Sequence, residues 1–211
     1  MHSGRALAQA VAACQQHAVP FRGLMYRAIH LRWFDHLGTA QPLFSVAGGP
    51  GTRYVPPGGP AALYAAFELE TAYREMNQVF YQALAGPAGP ALLTAGGLRP
   101  DPAVVIGVHI NASQLLDLRS PAILRLLHTN NAQLLAPWKN VPNPTATQDL
   151  GDEVFKGNWF EGIIYPSAQH ANYYCLVLFR QRLLAKPAVH FQGFQFPPPP
   201  RPVRLADDQL P

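Results

Sequence analysis

Charge is scarce in this sequence: Asp, Glu, Lys and Arg together make up 13% of its 211 residues. Long apolar runs are missing as well. The longest, such as Ala103 to Val108 and Tyr173 to Phe179, contain a glycine or end at charge, well short of the ~20 residues a bilayer-spanning helix needs, so no membrane span is expected. The alanine-rich segment Ala6 to Cys14 has neither the strongly apolar stretch nor the small-residue cleavage site of a secretory signal and reads as a short helix of a cytoplasmic protein. Cysteine is limited to Cys14 and Cys175. Both read as reduced packing residues rather than a disulfide, because Cys175 sits inside a strand-like run. No Gly-x-Gly-x-x-Gly opens a helix after a strand, and there is no phosphate-binding Gly-Lys-Ser/Thr loop, His-Glu-x-x-His or Cys-x-x-Cys. The eight histidines are dispersed without metal-ligand spacing, so no metal site is expected.

What is present points to one globular unit. A hydrophobic content of 48% is enough for one substantial core at this length. The net charge is +4 and the pI near 9.3, but the 16 basic residues are scattered rather than gathered into a run. That pattern suits an anionic small ligand such as a dinucleotide pyrophosphate about as well as it suits RNA or DNA; direct nucleic-acid contact is not the leading expectation. A nucleic-acid-binding module, motivated by the pI and by Trp33 beside Arg32, is the alternative from another class; salt-sensitive binding to unrelated oligonucleotides discriminates it.

Along the chain, residues 1 to 20 read as a peripheral helix closed by Pro20, and a strand follows from Gly23. Gly48 to Pro60, with five glycines and four prolines, marks a folded loop. Ala61 to Ala66 reads as a strand. Leu69, Ala72, Tyr73, Met76, Phe80 and Leu84 recur at helical spacing and predict one helix over Glu68 to Leu84. Val104 to Ile110 and Gln114 to Leu118 read as two strands, and Ser120-Pro121 opens a helix to about His128. An irregular segment, Thr129 to Pro144, precedes a helix over Thr147 to Phe155. Strands are expected at Gly162 to Tyr165, Tyr173 to Phe179 and Ala188 to Phe194. This strand-rich interleaving favours a single α+β domain, with mixed, mostly antiparallel sheets and flanking helices. The expected organisation is an N-terminal helical extension over 1–22, the domain over 23–195 and a proline-rich tail over 196–211 that cannot build a core.

Four residues carry the chemical signal. Arg53 lies in Gly51-Thr52-Arg53-Tyr54-Val55-Pro56-Pro57-Gly58, a stiff turn from which a guanidinium can grip a pyrophosphate or carboxylate bidentately. Tyr64 follows eleven positions later and Glu75 eleven after that. A strand, a turn and one helical face can therefore gather a cation, a ring and a carboxylate around one cleft. Downstream, Ser167 ends the apolar run Gly162-Ile163-Ile164-Tyr165-Pro166. It lacks both a Gly-x-Ser-x-Gly context and a recognisable histidine partner, which disfavours a serine hydrolase.

Together these segments resemble the RES domain, the toxin half of bacterial RES-Xre toxin-antitoxin pairs, named for an arginine, a glutamate and a serine. Arg53 matches the arginine of its Gly-x-Arg-Trp/Tyr-x-Pro-Pro-Gly turn, with Tyr54 in the aromatic place. Tyr64 matches the tyrosine of its Leu-Tyr, Glu75 its helix glutamate and Ser167 its Pro-Ser-Ala. Tyr26-Arg27 and Thr147-Gln148-Asp149-Leu150-Gly151 match further segments. The resemblance implies a fold like that of ADP-ribosyltransferase toxins and NAD as substrate, not cofactor, cleaved between nicotinamide and ribose. In that chemistry Glu75 stabilises the oxocarbenium-like ribose, and Arg53 and Arg27 anchor phosphates. Tyr64 orients nicotinamide, Tyr26 and Tyr54 contribute to NAD binding, and Ser167 holds the ribose or positions Arg53. The acceptor stays open: water makes a glycohydrolase, phosphate a phosphorylase, and a protein side chain a mono-ADP-ribosyltransferase. The resemblance also implies an Xre-type antitoxin as partner.

Overall fold

The computed structural model describes residues 1–32, 43–45, 47–94, 97, 99–139, 141, 144–184 and 188–195. The proline-rich tail and Trp33 lie outside them. Six strands form one sheet: β1 (Val19–His30), β2 (Ala62–Ala66), β3 (Ala103–Asp117), β4 (Gly162–Pro166), β5 (Tyr174–Phe179) and β6 (Val189–Gln195), in the order β1-β2-β5-β4-β3-β6. β3 and β4 run parallel, and the other pairings are antiparallel. Because β1 also pairs with β3 over most of its length, five strands complete a circuit that nearly closes. Its weak point is between β1 and β2, which share one register pair, Tyr26↔Ala66.

Side chains alternate between the two faces of a strand, and β2, β4 and β5 are buried on both faces. On β5, Cys175, Val177 and Phe179 join one core, while Leu176 and Leu178 join the other. The first core also takes in α1 (Gly4–Ala13) and α7 (Ala146–Gly157), with α5 (Pro121–Leu126) and α6 (Asn131–Leu135) beside them. The second lies against the opposite face, built from Met25, Leu63, Ile106, Val108 and Ile110 among others. The result is the single α+β domain expected from the sequence, with a mostly antiparallel sheet and flanking helices.

Several elements differ from the sequence reading, each for a local reason. The first helix is not peripheral: Leu7, Val11 and Cys14 are fully buried against α7, and each aliphatic side chain so placed is worth about 1.5–3 kcal/mol. Pro20, expected to close that helix, lies inside β1, where its missing N–H is tolerated at the strand's start. The long helix over Glu68 to Leu84 is two, α2 (Leu69–Met76) and α3 (Gln78–Leu84). Asn77 separates them, its amide donating to Tyr73 O (3.3 Å) and its Oδ1 accepting from Asp101 N (2.6 Å). The two strands expected over 104–118 are one. Exposed His109, Asn111 and Ser113 alternate with buried Ile110 and Ala112, the period of a strand with one wet face, not of a break. Within the segment read as irregular, Asn130 caps the short α6 by accepting from Gln133 N (3.0 Å). A further short helix, α4 (Gly89–Thr94), follows α3.

Helix α7 starts at a full capping box: Thr145 Oγ1 accepts from Gln148 N, and Gln148 Oε1 accepts from Thr145 N. Three residues on, Gly151 lets the helix touch another backbone, since a Cβ there would sit 1.8 Å from Tyr54 O. Gly151→Ala should therefore destabilise the protein by roughly 1–3 kcal/mol despite the ~1 kcal/mol that alanine gains over glycine within a helix. Urea denaturation of the two proteins checks the sign; an equal or higher midpoint for the variant would show that the helix can back away without cost.

Candidate active site

The glycine-proline loop delivers Arg53 through a tight turn. Thr52 N donates to Val55 O (2.7 Å) and Val55 N to Thr52 O (3.4 Å), putting Arg53 and Tyr54 at its tip. The turn is entered through Gly51 at φ +90°, where a Cβ would also press on Pro57 N at 2.9 Å, so glycine is required on both counts. Other elements then hold the turn. Gln148 Nε2 donates to Thr52 O (3.0 Å), and the Tyr64 hydroxyl bonds Thr52 Oγ1 (2.5 Å) and accepts from Tyr54 N (3.2 Å). Arg53 itself is 7% exposed, and its Nη1 donates to the carbonyls of Leu134 (2.8 Å) and Ala136 (3.0 Å). One edge of the guanidinium is thus committed to backbone. Among the described residues no acceptor is found for its Nε or Nη2.

Glu75 projects from the last turn of α2 toward the loop after β4. Its Oε1 accepts from Ser167 Oγ (2.5 Å), Ala168 N (2.9 Å) and Gln169 N (3.3 Å). Ser167 Oγ in turn accepts from Gln169 N (3.2 Å) and His170 N (3.0 Å), which leaves its hydrogen for Glu75. Among the described residues no donor reaches Oε2. Ser167 therefore orients a carboxylate, whereas the sequence reading gave it the ribose or Arg53.

Both clusters border one cavity of about 190 Å³ at the parting of β1 and β2. Tyr26, Arg27 and Ala28 line it from β1, and Tyr64, Ala65 and Ala66 from β2; Thr52, Arg53, Glu75 and Gln78 add polar groups. Arg27 Nη1 bridges the parting by donating to Tyr64 O (2.9 Å). Burial lowers the Arg27 pKa to about 10, so the guanidinium is charged at neutral pH in a poorly hydrated place. Burial also raises Tyr64 to about 12, keeping its hydroxyl protonated. Tyr165 and Cys175, which form part of the floor, are pushed well up by the same desolvation and stay neutral. The cavity thus combines cations with one carboxylate on an otherwise apolar surface.

A family model of the RES domain matches residues 8–200. The chain belongs to the RES family. Among solved structures, this RES domain superposes on the M. tuberculosis MbcT-MbcA toxin-antitoxin complex with a TM-score of 0.60 over 91% of this chain and 92% of the other, at 17% identity. At that identity the likeness is one of fold. No curated protein sequence matches the chain.

Of the residues singled out in the sequence, Tyr26, Arg27, Arg53, Tyr64 and Glu75 line the cavity of this RES domain, and Ser167 stands behind Glu75. Tyr54 does not line it: its side chain is fully buried with the ring 4.6 Å from that of Tyr165. The sequence reading missed Trp138, Met76 and Gln78 on the cavity wall. Trp138 follows α6 in a segment that looked irregular, so no periodicity pointed to it.

The Tyr54 hydroxyl is buried without a hydrogen-bond partner among the described residues, and desolvation raises its pKa so that it stays protonated. An unsatisfied buried polar group costs ~1–3 kcal/mol, so Tyr54→Phe should leave stability unchanged or raise it by up to about 1 kcal/mol. Thermal and urea unfolding read this. Loss of ligand affinity in the same variant would instead place the hydroxyl in binding.

Proposed function

We propose that this protein cleaves NAD between nicotinamide and ribose and acts as the toxin of a toxin-antitoxin pair. The observation that carries the reading is the Glu75 carboxylate, with one oxygen saturated by Ser167 and two amides, beside a cavity lined by Arg27 and Arg53. Breaking the C1′–N bond sends the electron pair out with nicotinamide and leaves positive charge on the ribose. A carboxylate fixed in place before the reaction stabilises that charge without reorganising, which is where electrostatic catalysis gains most. The second oxygen of Glu75 suits the ribose face or its hydroxyls. Arg27 and the uncommitted edge of Arg53 suit the pyrophosphate, and the Tyr64 ring on the cavity wall orients the departing base.

The cavity volume favours a partial pose. Pockets that enclose a drug-sized ligand run to ~300–1,000 Å³, so a space of about 190 Å³ takes part of a dinucleotide rather than all of it. With Glu75 on the wall, the part enclosed is the nicotinamide riboside, and the adenosine end lies toward solvent. The acceptor that captures C1′ is water, phosphate or a protein side chain, and each leaves a different product. The partner role follows the RES family and the toxin-antitoxin complex whose fold is shared: an Xre-type antitoxin covers the cavity with an acidic or carboxylate-ended segment that meets Arg53.

Purified protein should release nicotinamide from NAD, followed by chromatography of the nucleotide products with and without phosphate and lysate; intact NAD under all conditions would sink the reading. Glu75→Gln should lower kcat by about 10²- to 10⁴-fold while folding and NAD binding persist, because the lost charge matters mainly in the transition state. Expression in bacteria should stall growth and deplete NAD unless the antitoxin is co-expressed, and Glu75→Gln should relieve the stall without it. Normal growth with normal NAD on wild-type expression would contradict the toxin role.

A further inference from the structure

The loop that clamps Glu75 is itself fastened to α2 at a second point. Thr71 lies four residues before Glu75, hence on the same face of the helix. Its Oγ1 bonds His170 Nδ1 at 2.7 Å, and Thr71 is fully buried. His170 stacks on Tyr173, ring centroids 3.8 Å apart at 14°. The loop closes around that stack: Ser167 N donates to Tyr173 O (2.8 Å), Tyr173 N to His170 O (3.2 Å) and His170 N to Ser167 Oγ (3.0 Å). The segment carrying the three donors to Glu75 is therefore joined to the glutamate's own helix one turn away.

We propose that Thr71 and His170 form a positioning pair for Glu75: their side-chain bond, backed by the Tyr173 stack, holds the Ser167–Gln169 donors in register with the carboxylate. The pair deepens the reading of Glu75 as the catalytic carboxylate and rests on it. Neither residue lines the cavity, so both act through the clamp rather than on the ligand. The bond is one of neutral groups. Burial lowers the His170 pKa, and Arg74 adds to the shift against Glu70 and Glu68, so the imidazole is uncharged at neutral pH and one ring nitrogen can accept the Thr71 hydroxyl. Two contacts to one helix define an orientation where a single contact leaves a pivot, and a carboxylate serving a transition state depends on that orientation.

A double-mutant cycle tests the pair. Thr71→Val removes the hydroxyl at nearly constant volume, and His170→Phe removes the ring nitrogen while keeping the stack. Each alone should lower kcat for NAD cleavage about tenfold with KM unchanged, the size expected for one net hydrogen bond, and the double variant should be no worse than either. His170→Asn, which returns a polar atom near Nδ1 but gives up the stack on Tyr173, should recover part of the loss. Amide exchange read by NMR supplies a measure independent of turnover: Ala168 and Gln169 N–H should exchange about tenfold faster in both single variants while amides of β3 keep their protection. Unchanged exchange at Ala168 and Gln169, or losses of kcat that add in the double variant, would overturn the proposal. If the wild-type protein leaves NAD intact, the functional reading falls, and the exchange rates still decide whether the pair holds the clamp.

Discussion

Strands β1 and β2 touch at one residue pair, and the site depends on that parting. A sheet that closed fully would bury Arg27 and Tyr64 in a ladder of hydrogen bonds. A sheet that opened widely would expose Ala65, Cys175 and Tyr165 to water. The chain stops between these outcomes because β1 is committed to β3 on its other edge, while β2 is committed to β5, so the two can meet only where their courses cross at Tyr26 and Ala66. The Arg27 guanidinium spans the gap and gives the Tyr64 carbonyl the donor that a ladder would have supplied. What would be an edge defect in another sheet is here a small apolar cavity with charged walls.

The two halves of the site are held by different means. Arg53 is fixed by backbone: a turn with a glycine at positive φ, a carbonyl gripped by Gln148, and a helix that comes close enough to need Gly151. Glu75 is fixed by donors aimed at one oxygen. This division has an energetic logic. A guanidinium with several donors can give some to backbone carbonyls and still have others left, whereas a carboxylate has only two oxygens, and here one of them is taken up by orientation.

Much of this was legible in the sequence because the residues involved are punctuated by strong local signals. The glycine-proline loop, the apolar strands and the helix over Thr147 to Phe155 announce themselves, and the arginine, tyrosine, glutamate and serine fall in family order. Other features depend on contacts between distant segments. Asn77 breaks a helix by bonding Asp101, which no local pattern encodes. The link between Thr71 and His170 spans 99 positions, and a lone histidine in a loop carries no mark of it. Ser167 stood out in the sequence, but the side chain it faces depends on how β4 and α2 come together.

The separation of Glu75 from its donors also orders events during synthesis. Glu75 and Ser167 lie 92 positions apart, and β4 and β5, which flank the donor loop, come after β1, β2, α2 and β3 in the chain. A ribosome that has released residues 1 to 120 has already delivered both arginines, Tyr64 and Glu75. The carboxylate nevertheless has nothing to hold it until the last strands emerge and dock. The nascent chain therefore carries the carboxylate well before the donors that orient it exist, and the site can be completed only once β4 and the loop behind it have emerged.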